Sequence, residues 1–309
     1  MQKSVLCVGV AVQDHIFRID RMPDTAIKVF ASDYRQVGGG PAANAAATVA
    51  RLGGRVALWA RVGEDATGAA IVAELNDYGV DTGVIRMIEG GRSSVSTVAV
   101  DSHGERLIIA FADANLDRDV SWLPIETIDA YDALLCDVRW PEASLHALSA
   151  SRDRGIPSVL DADLTTTDAA ETLFPLAAHA VFSEPALARL SGTNDPAAGL
   201  RAVAGQGAKY VSVTLGAEGF AYLNADGTFA HVPGFPVDAV DTLAAGDVFH
   251  GAYALAVAEG RNVHDAGRFA SATAAIKCSR WGGRAGIPNR PDVEALLAAP
   301  ILENGDDND

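Results

Sequence analysis

The residues best placed to do chemistry run from Asp241 to Asp247 as Asp-Thr-Leu-Ala-Ala-Gly-Asp. An apolar stretch, Val237 to Val240, leads in, and Val248-Phe249-His250-Gly251 leads on to Ala252–Ala258, a helix by composition closed by Glu259-Gly260. Small residues at the mouth of a helix let main-chain N–H groups approach a ligand closely. Those groups and the helix dipole attract an anion, phosphate above all. A carboxylate at Asp247 opposes an anion there. Its expected task is to take a proton from an attacking hydroxyl, while the amides of Ala244, Ala245 and Gly246 stabilise the phosphoryl group in transfer. The plain alternative is a helix that carries Asp in its first turn, as many do.

A second cluster lies near the N-terminus. Gly38-Gly39-Gly40-Pro41-Ala42-Ala43-Asn44 precedes an Ala-rich helix that ends in Arg51-Leu52-Gly53-Gly54. Three glycines before a helix again permit close backbone approach to a ligand, or else a flexible turn before a helix packed through its alanines. Asp14 follows the continuous apolar run Ser4–Val12, which reads as a central strand covered on both faces. Ligands of open α/β sheets bind at such carboxyl ends, although Asp also ends strands in ordinary turns.

The elements that must position these residues alternate. Strands are expected at Ala133–Cys136, Ser158–Asp161, Ala180–Ser183 and Tyr210–Thr214, with helices at Glu142–Arg154, Ala169–Ala178 and Ala197–Gly205 between them. That rhythm predicts an α/β fold with a doubly wound, mostly parallel sheet. Thr214 to Gly219 reads as a hairpin turn into Phe220–Leu223, and Asp265–Ser279 as a helix with Phe269, Thr273 and Ile276 on one face. Short amphipathic strands are expected at His15–Asp20, Lys28–Tyr34, Ser94–Asp101 and Glu105–Ala112, the last two hinged at Ser102-His103-Gly104. They would form a small β-sheet lid, its strands within 15–37 and 92–112, on one main domain spanning 1–302. The acidic tail 303–309 is expected to be disordered.

Composition bounds the rest. With 309 residues, 49% hydrophobic and 21% charged, the chain can bury a large core. A formal charge of −16 argues against nonspecific nucleic-acid binding, so an anionic substrate must be met by local cations. Cys7, Cys136 and Cys278 read as reduced, buried thiols of a cytoplasmic protein. The N-terminal Met1-Gln2-Lys3-Ser4 running into a strand-like segment predicts no signal peptide, and no bilayer-spanning run, P-loop, GxGxxG, HExxH or GxSxG motif is read in the sequence.

The 241–247 stretch resembles the C-terminal signature of the ribokinase-like (PfkB) sugar kinases, Asp-Thr-x-Gly-Ala-Gly-Asp, with Ala244 where that pattern has Gly. Gly39, Gly40 and Asn44 resemble the N-terminal signature, and Arg61-Val62-Gly63-Glu64-Asp65 with Gly68 also matches. The resemblance covers nearly the whole chain. It implies an ATP-dependent sugar kinase with Mg²⁺, in which Asp14, Gly39, Gly40 and Asn44 hold the sugar and Asp247 is the base. It places Thr214, Gly216 and Gly219 beside the nucleotide phosphates, and Ala274 and Gly283 on the adenine side. The helix 265–279 and the loop 280–288 are implied to help hold a monovalent cation such as K⁺; Arg280 and Arg284 read equally as solvated charges. Glu184 stands in Ser183-Glu184-Pro185-Ala186 where many members have Asn-x-x-Glu, and is the weak metal candidate. The lid implies a homodimer through its strands.

Several stretches, among them Asp137-Val138-Arg139-Trp140 and Gly282-Gly283-Arg284-Ala285-Gly286, look especially close to the branch of the family containing sulfofructose kinase, with ketohexokinase-like features. That likeness implies a ketose, 6-deoxy-6-sulfofructose or a fructose derivative, with Lys28 and Arg139 on its anionic end. Against this, Ala110 replaces an expected lid asparagine, Lys28 reads equally as solvated, and Arg139 as paired with Asp137 or Glu142. The alternatives are a nucleoside or 2-keto-3-deoxy sugar acid kinase, or a regulator that binds sugar and nucleotide without turnover.

Overall fold

The computed structural model describes residues 2–299 except Gly104, Asp117 and Thr166; the tail 303–309 and the Gly104 hinge lie outside them. In chain order come β1 (Ser4–Val8), β2 (Val12–Arg18), β3 (Asp33–Gly39), α1 (Pro41–Arg51), β4 (Arg55–Gly63), α2 (Ala66–Asp77), β5 (Ile85–Ile88), β6 (Val95–Val100) and β7 (Arg106–Phe111). Then follow β8 (Ala133–Asp137), α3 (Pro141–Arg154), β9 (Ser158–Ala162), α4 (Ala169–Leu173), β10 (His179–Ser183), α5 (Glu184–Ser191), α6 (Pro196–Val203) and β11 (Tyr210–Thr214). The chain continues through β12 (Gly219–Leu223), β13 (Phe229–Pro233), α7 (Ala245–Ala258), α8 (Val263–Cys278) and α9 (Arg290–Ala298).

The main sheet has the order β13-β12-β11-β10-β9-β8-β1-β4-β5. It is parallel throughout except at β11–β12 and β12–β13. The alternation of side chains along β1 shows why both faces must be covered. Val5 and Cys7 pack with α1, α7 and α8, whereas Leu6 and Val8 pack with the opposite layer, which includes α3 and Leu187 of α5. Cys7 and Cys136 are buried free thiols, as expected, while Cys278 is only half-buried. Among the described residues no helix is long and apolar enough to cross a membrane.

The apolar run at the N-terminus is not one strand. β1 stops at Val8, and Val12 already belongs to the lid. Gly9 makes the corner because a Cβ there would lie 2.1 Å from Oδ2 of Asp137. That carboxylate, buried at the end of β8, accepts the N–H groups of Val10 (2.9 Å), Ala42 (3.2 Å) and Arg139 (2.8 Å). Asp14 is therefore a residue of lid strand β2 and not the terminus of a central strand. The helix expected at 169–178 is shorter, because Pro175 takes the chain into a 3₁₀ turn at Phe174–Leu176.

The lid sheet has the order β3-β2-β6-β7. Its inner face buries Ile16, Val98 and Val100 against Leu243 and Trp281, which brings it over the Asp241–Asp247 stretch. Its outermost strand, β7, exposes Leu107, Ile108 and Ile109. β3 begins only at Asp33, so Lys28 lies in an irregular, exposed segment and not on the strand expected for it.

Candidate active site

The helix that carries Asp247 starts without a side-chain cap. Ala244 is its N-cap residue, at φ 61° and ψ 13°, the left-handed region that costs a residue with a Cβ. Ala244 is the only non-glycine residue with positive φ among the described ones. Five other helices close their first turn with a side chain, from Asp65, Ser183, Asp195, Asn262 and Asn289. At α7 an alanine cannot; the Ala245 N–H, expected among the anion-binding amides, turns back to the Thr242 carbonyl at 3.2 Å, which leaves the amide of exposed Gly246 as the open donor of the first turn.

Close packing of α1 on α7 sets the next contact. A Cβ on Gly251 would lie 2.5 Å from the carbonyl oxygen of Ala45, so only glycine lets the helices approach this far. The approach brings Asn44 Nδ2 to 2.6 Å from Oδ2 of Asp247. Asn44 is itself held from behind: Arg284 Nε donates to its Oδ1 at 2.9 Å, and Arg284 Nη2 donates to the Gly39 carbonyl at 3.0 Å. The guanidinium is buried, with Glu74 at 3.7 Å as its counterion. Arg284 thus fixes which way the Asn44 amide points, with nitrogen toward the carboxylate. It is not the solvated charge the sequence allowed. Arg280 is surface-paired with Asp292 at 2.9 Å.

The glycine run serves these charges. A Cβ on Gly38 would lie 2.1 Å from Nη1 of Arg284, and one on Gly39 would lie 2.1 Å from Oδ2 of Asp14. Gly40 has φ 90° and would strike the Val10 carbonyl at 2.5 Å. Asp14 is buried and accepts the Ser96 hydroxyl at 2.6 Å. Burial raises its pKa, the Ser96 bond opposes this, and the charge of Asp247 adds to the rise. Burial also raises Asp247; the Asn44 bond and nearby His250 pull it back.

His250, one turn on, was named in the sequence without a role. Its Nδ1 lies 2.7 Å from the Gly246 carbonyl and 3.5 Å from Oδ2 of Asp161, and its Nε2 lies 3.4 Å from the Val181 carbonyl. The Gly246 carbonyl can only accept, so Nδ1 carries hydrogen. These contacts lock the first turn of α7 onto the carboxyl ends of β9 and β10. Burial pushes Asp161 well up, with Asp247 adding to it. Asp161 ended an expected strand, and nothing in its type showed that it would be buried beneath the site.

The other expected residues fall in three places. Thr214 ends β11, Gly216 (φ 57°) and Gly219 (φ 103°) bound the turn into β12, and the expected hairpin is present. Ala274 is half-buried on α8, and Gly283 N–H is taken by the Asp241 carboxylate at 2.8 Å. Arg139 is exposed and pairs with Asp163 at 2.9 Å, neither of the two partners weighed for it. With Lys28 exposed off the strand, the structure does not assemble these two cations into an anion clamp. Glu184 is exposed at the first position of α5, a place that suits its charge without a metal. No group of three metal-binding side chains occurs among the described residues.

The model of the "pfkB family carbohydrate kinase" matches residues 2–290. The ribokinase of Bacillus subtilis is 29% identical over 96% of this chain and 100% of its own. A solved structure from Agrobacterium tumefaciens, described as a candidate ribokinase, superposes with a TM-score of 0.92 at 42% identity, over 96% of this chain and 98% of that one. Arabidopsis thaliana ribokinase, solved with ribose and ATP, gives 0.84 at 28% identity over 97% and 100%. A match to the family model over residues 2–290, a span that includes both glycine-bearing segments and the Asp247 helix, leaves one conclusion: the chain belongs to the pfkB family of carbohydrate kinases.

Proposed function

We propose that this carbohydrate kinase moves the γ-phosphoryl group of ATP to a hydroxyl of ribose or a closely similar pentose, with Asp247 as the base. The observation that carries the reading is the Asp247 carboxylate, 2.6 Å from Asn44, on the uncapped first turn of α7. Asp247 takes the hydroxyl proton as the sugar oxygen bonds to phosphorus, and the bond to ADP breaks. The amide of Gly246, with Ala244 setting its direction, stabilises the charge that develops on the phosphoryl oxygens. ATP supplies the phosphoryl group, and Mg²⁺ screens its charge. Asp14, Gly39, Gly40 and Asn44 bind the sugar hydroxyls, while Thr214, Gly216, Gly219, Ala274 and Gly283 line the nucleotide side. Arg284 acts through Asn44 as a positioning residue.

Ribose is favoured over a sulfosugar on two grounds. The relatives just described are ribokinases by name and lend no support to the sulfofructose-kinase branch. Arg139 is neutralised by Asp163, and Ala110 offers no polar contact to an anionic end. The exposed apolar edge of the lid, β7, supports a homodimer through the lid strands. Asp247→Asn tests the central claim. The amide can still accept from Asn44, so folding and sugar-induced thermal stabilisation should persist, while kcat falls by about 10²–10⁴. Unchanged turnover would refute the assignment. A panel of ribose, fructose, sulfofructose, nucleosides and keto-deoxy acids, read by ADP release, tests the sugar.

A further inference from the structure

Behind the open end of α7 lies a cation that the chain itself provides. Lys277, in the last turn of α8, is 0% exposed. Its Nζ donates to the main-chain carbonyl of Asp241 at 2.8 Å and lies 3.3 Å from the same residue's Oδ2. That carboxylate is fully used: Oδ2 accepts the N–H groups of Gly282 (3.0 Å) and Gly283 (2.8 Å), and Oδ1 accepts that of Leu243 (2.8 Å). The N–H groups of Val240 and Asp241 both return to the Cys278 carbonyl. One buried ion pair therefore knots the strand of chain that enters the Ala244–Asp247 turn to the end of α8 and to the loop after it.

A carboxylate and a main-chain carbonyl converging out of water form an oxygen donor set suited to a weakly hydrated monovalent cation. An ammonium group has the same charge and satisfies the same oxygens through its three N–H directions. The helix and loop for which family resemblance implied K⁺ thus carry Lys277 among the oxygens that such an ion would need. We infer that Lys277 is a tethered replacement for a monovalent cation, holding the Asp241–Asp247 loop in shape so that the enzyme works without added K⁺. The inference rests on the kinase reading for its catalytic consequence but not for the site itself.

The test uses the whole protein dialysed into choline chloride. Wild-type turnover and melting temperature should be the same, within about twofold and about 1 °C, when K⁺, Rb⁺ or NH₄⁺ replaces choline. Lys277→Ala should lose about tenfold or more in kcat in choline, regain a large part of it with K⁺ or NH₄⁺, and gain about 3 °C in melting temperature from either ion. Activation of the wild-type enzyme by K⁺ of about tenfold would overturn the inference, and needs no variant to observe. So would a folded Lys277→Ala protein whose melting temperature ignores every monovalent ion. The thermal measurement requires no sugar, so a protein that never forms ADP would sink the kinase reading and leave the cation site to be judged separately.

Discussion

Ala244→Gly should make the protein more stable and leave its rate nearly alone. Ala244 sits at φ 61°, ψ 13°, where a Cβ crowds the following carbonyl at a cost of roughly 1–2 kcal/mol. Glycine escapes that cost but surrenders more backbone entropy on folding, about 0.5–1 kcal/mol. The difference favours glycine by about 0.75 kcal/mol, roughly 2 °C in melting temperature for a chain of this size. Urea unfolding followed by tryptophan fluorescence would read it as a higher midpoint at unchanged slope. Because the amide of Gly246 keeps its direction, kcat should stay within about twofold. Ala244→Val should do the reverse, losing more than about 1 kcal/mol, since a β-branched side chain is a true outlier in the left-handed region. A glycine variant that unfolds at lower urea would refute the backbone geometry on which the open helix terminus depends.

Two further outcomes follow from the packing. His179, buried with Nδ1 3.0 Å from the Tyr253 hydroxyl, has its pKa lowered by burial from 6.5 to about 4. Above 6.5 neither state binds the proton; between 6.5 and 4 the unfolded chain binds it and the folded chain does not. Stability should therefore drain away as pH falls through that window, by about 2 kcal/mol between pH 7 and pH 5. His179→Gln, which keeps a partner for Tyr253, should remove that part of the slope, and equal urea midpoints' pH dependence in the two proteins would count against it. On the lid, Ile109 is 64% exposed on edge strand β7. Ile109→Lys tests the dimer proposed through the lid: the wild-type protein should sediment as a dimer and the variant as a monomer, and a monomeric wild type or a variant that stays dimeric would refute that interface.

What the sequence revealed was local, and what it concealed was charge pairing across the chain. The alternation of apolar strands and helices was legible because burial on both faces of a parallel sheet leaves continuous apolar runs. Ala244 was legible too: a residue with a Cβ in a glycine position predicts strain, and its φ of 61° is that strain. The glycine run was half legible. Its need for close approach was plain, but Gly38 and Gly39 make room for Arg284 and Asp14 of the same chain, at 2.1 Å from where a Cβ would lie. Type alone could not show this, because Arg284 and Lys277 are residues that normally stay in water. A lysine in the last turn of a helix reads as a dipole partner, and an arginine in a Gly-rich loop reads as surface charge. Each is buried here only because a remote acceptor meets it: Asp241 for Lys277, and Asn44 with Glu74 for Arg284. Burying either cation without that acceptor would cost several kcal/mol. The positions of Asn44 and Asp241 are thus conditions for folding as well as for the geometry around Asp247. A substitution at either acceptor should therefore lower stability and turnover together, which the isolated loss of turnover expected for Asp247→Asn would not do.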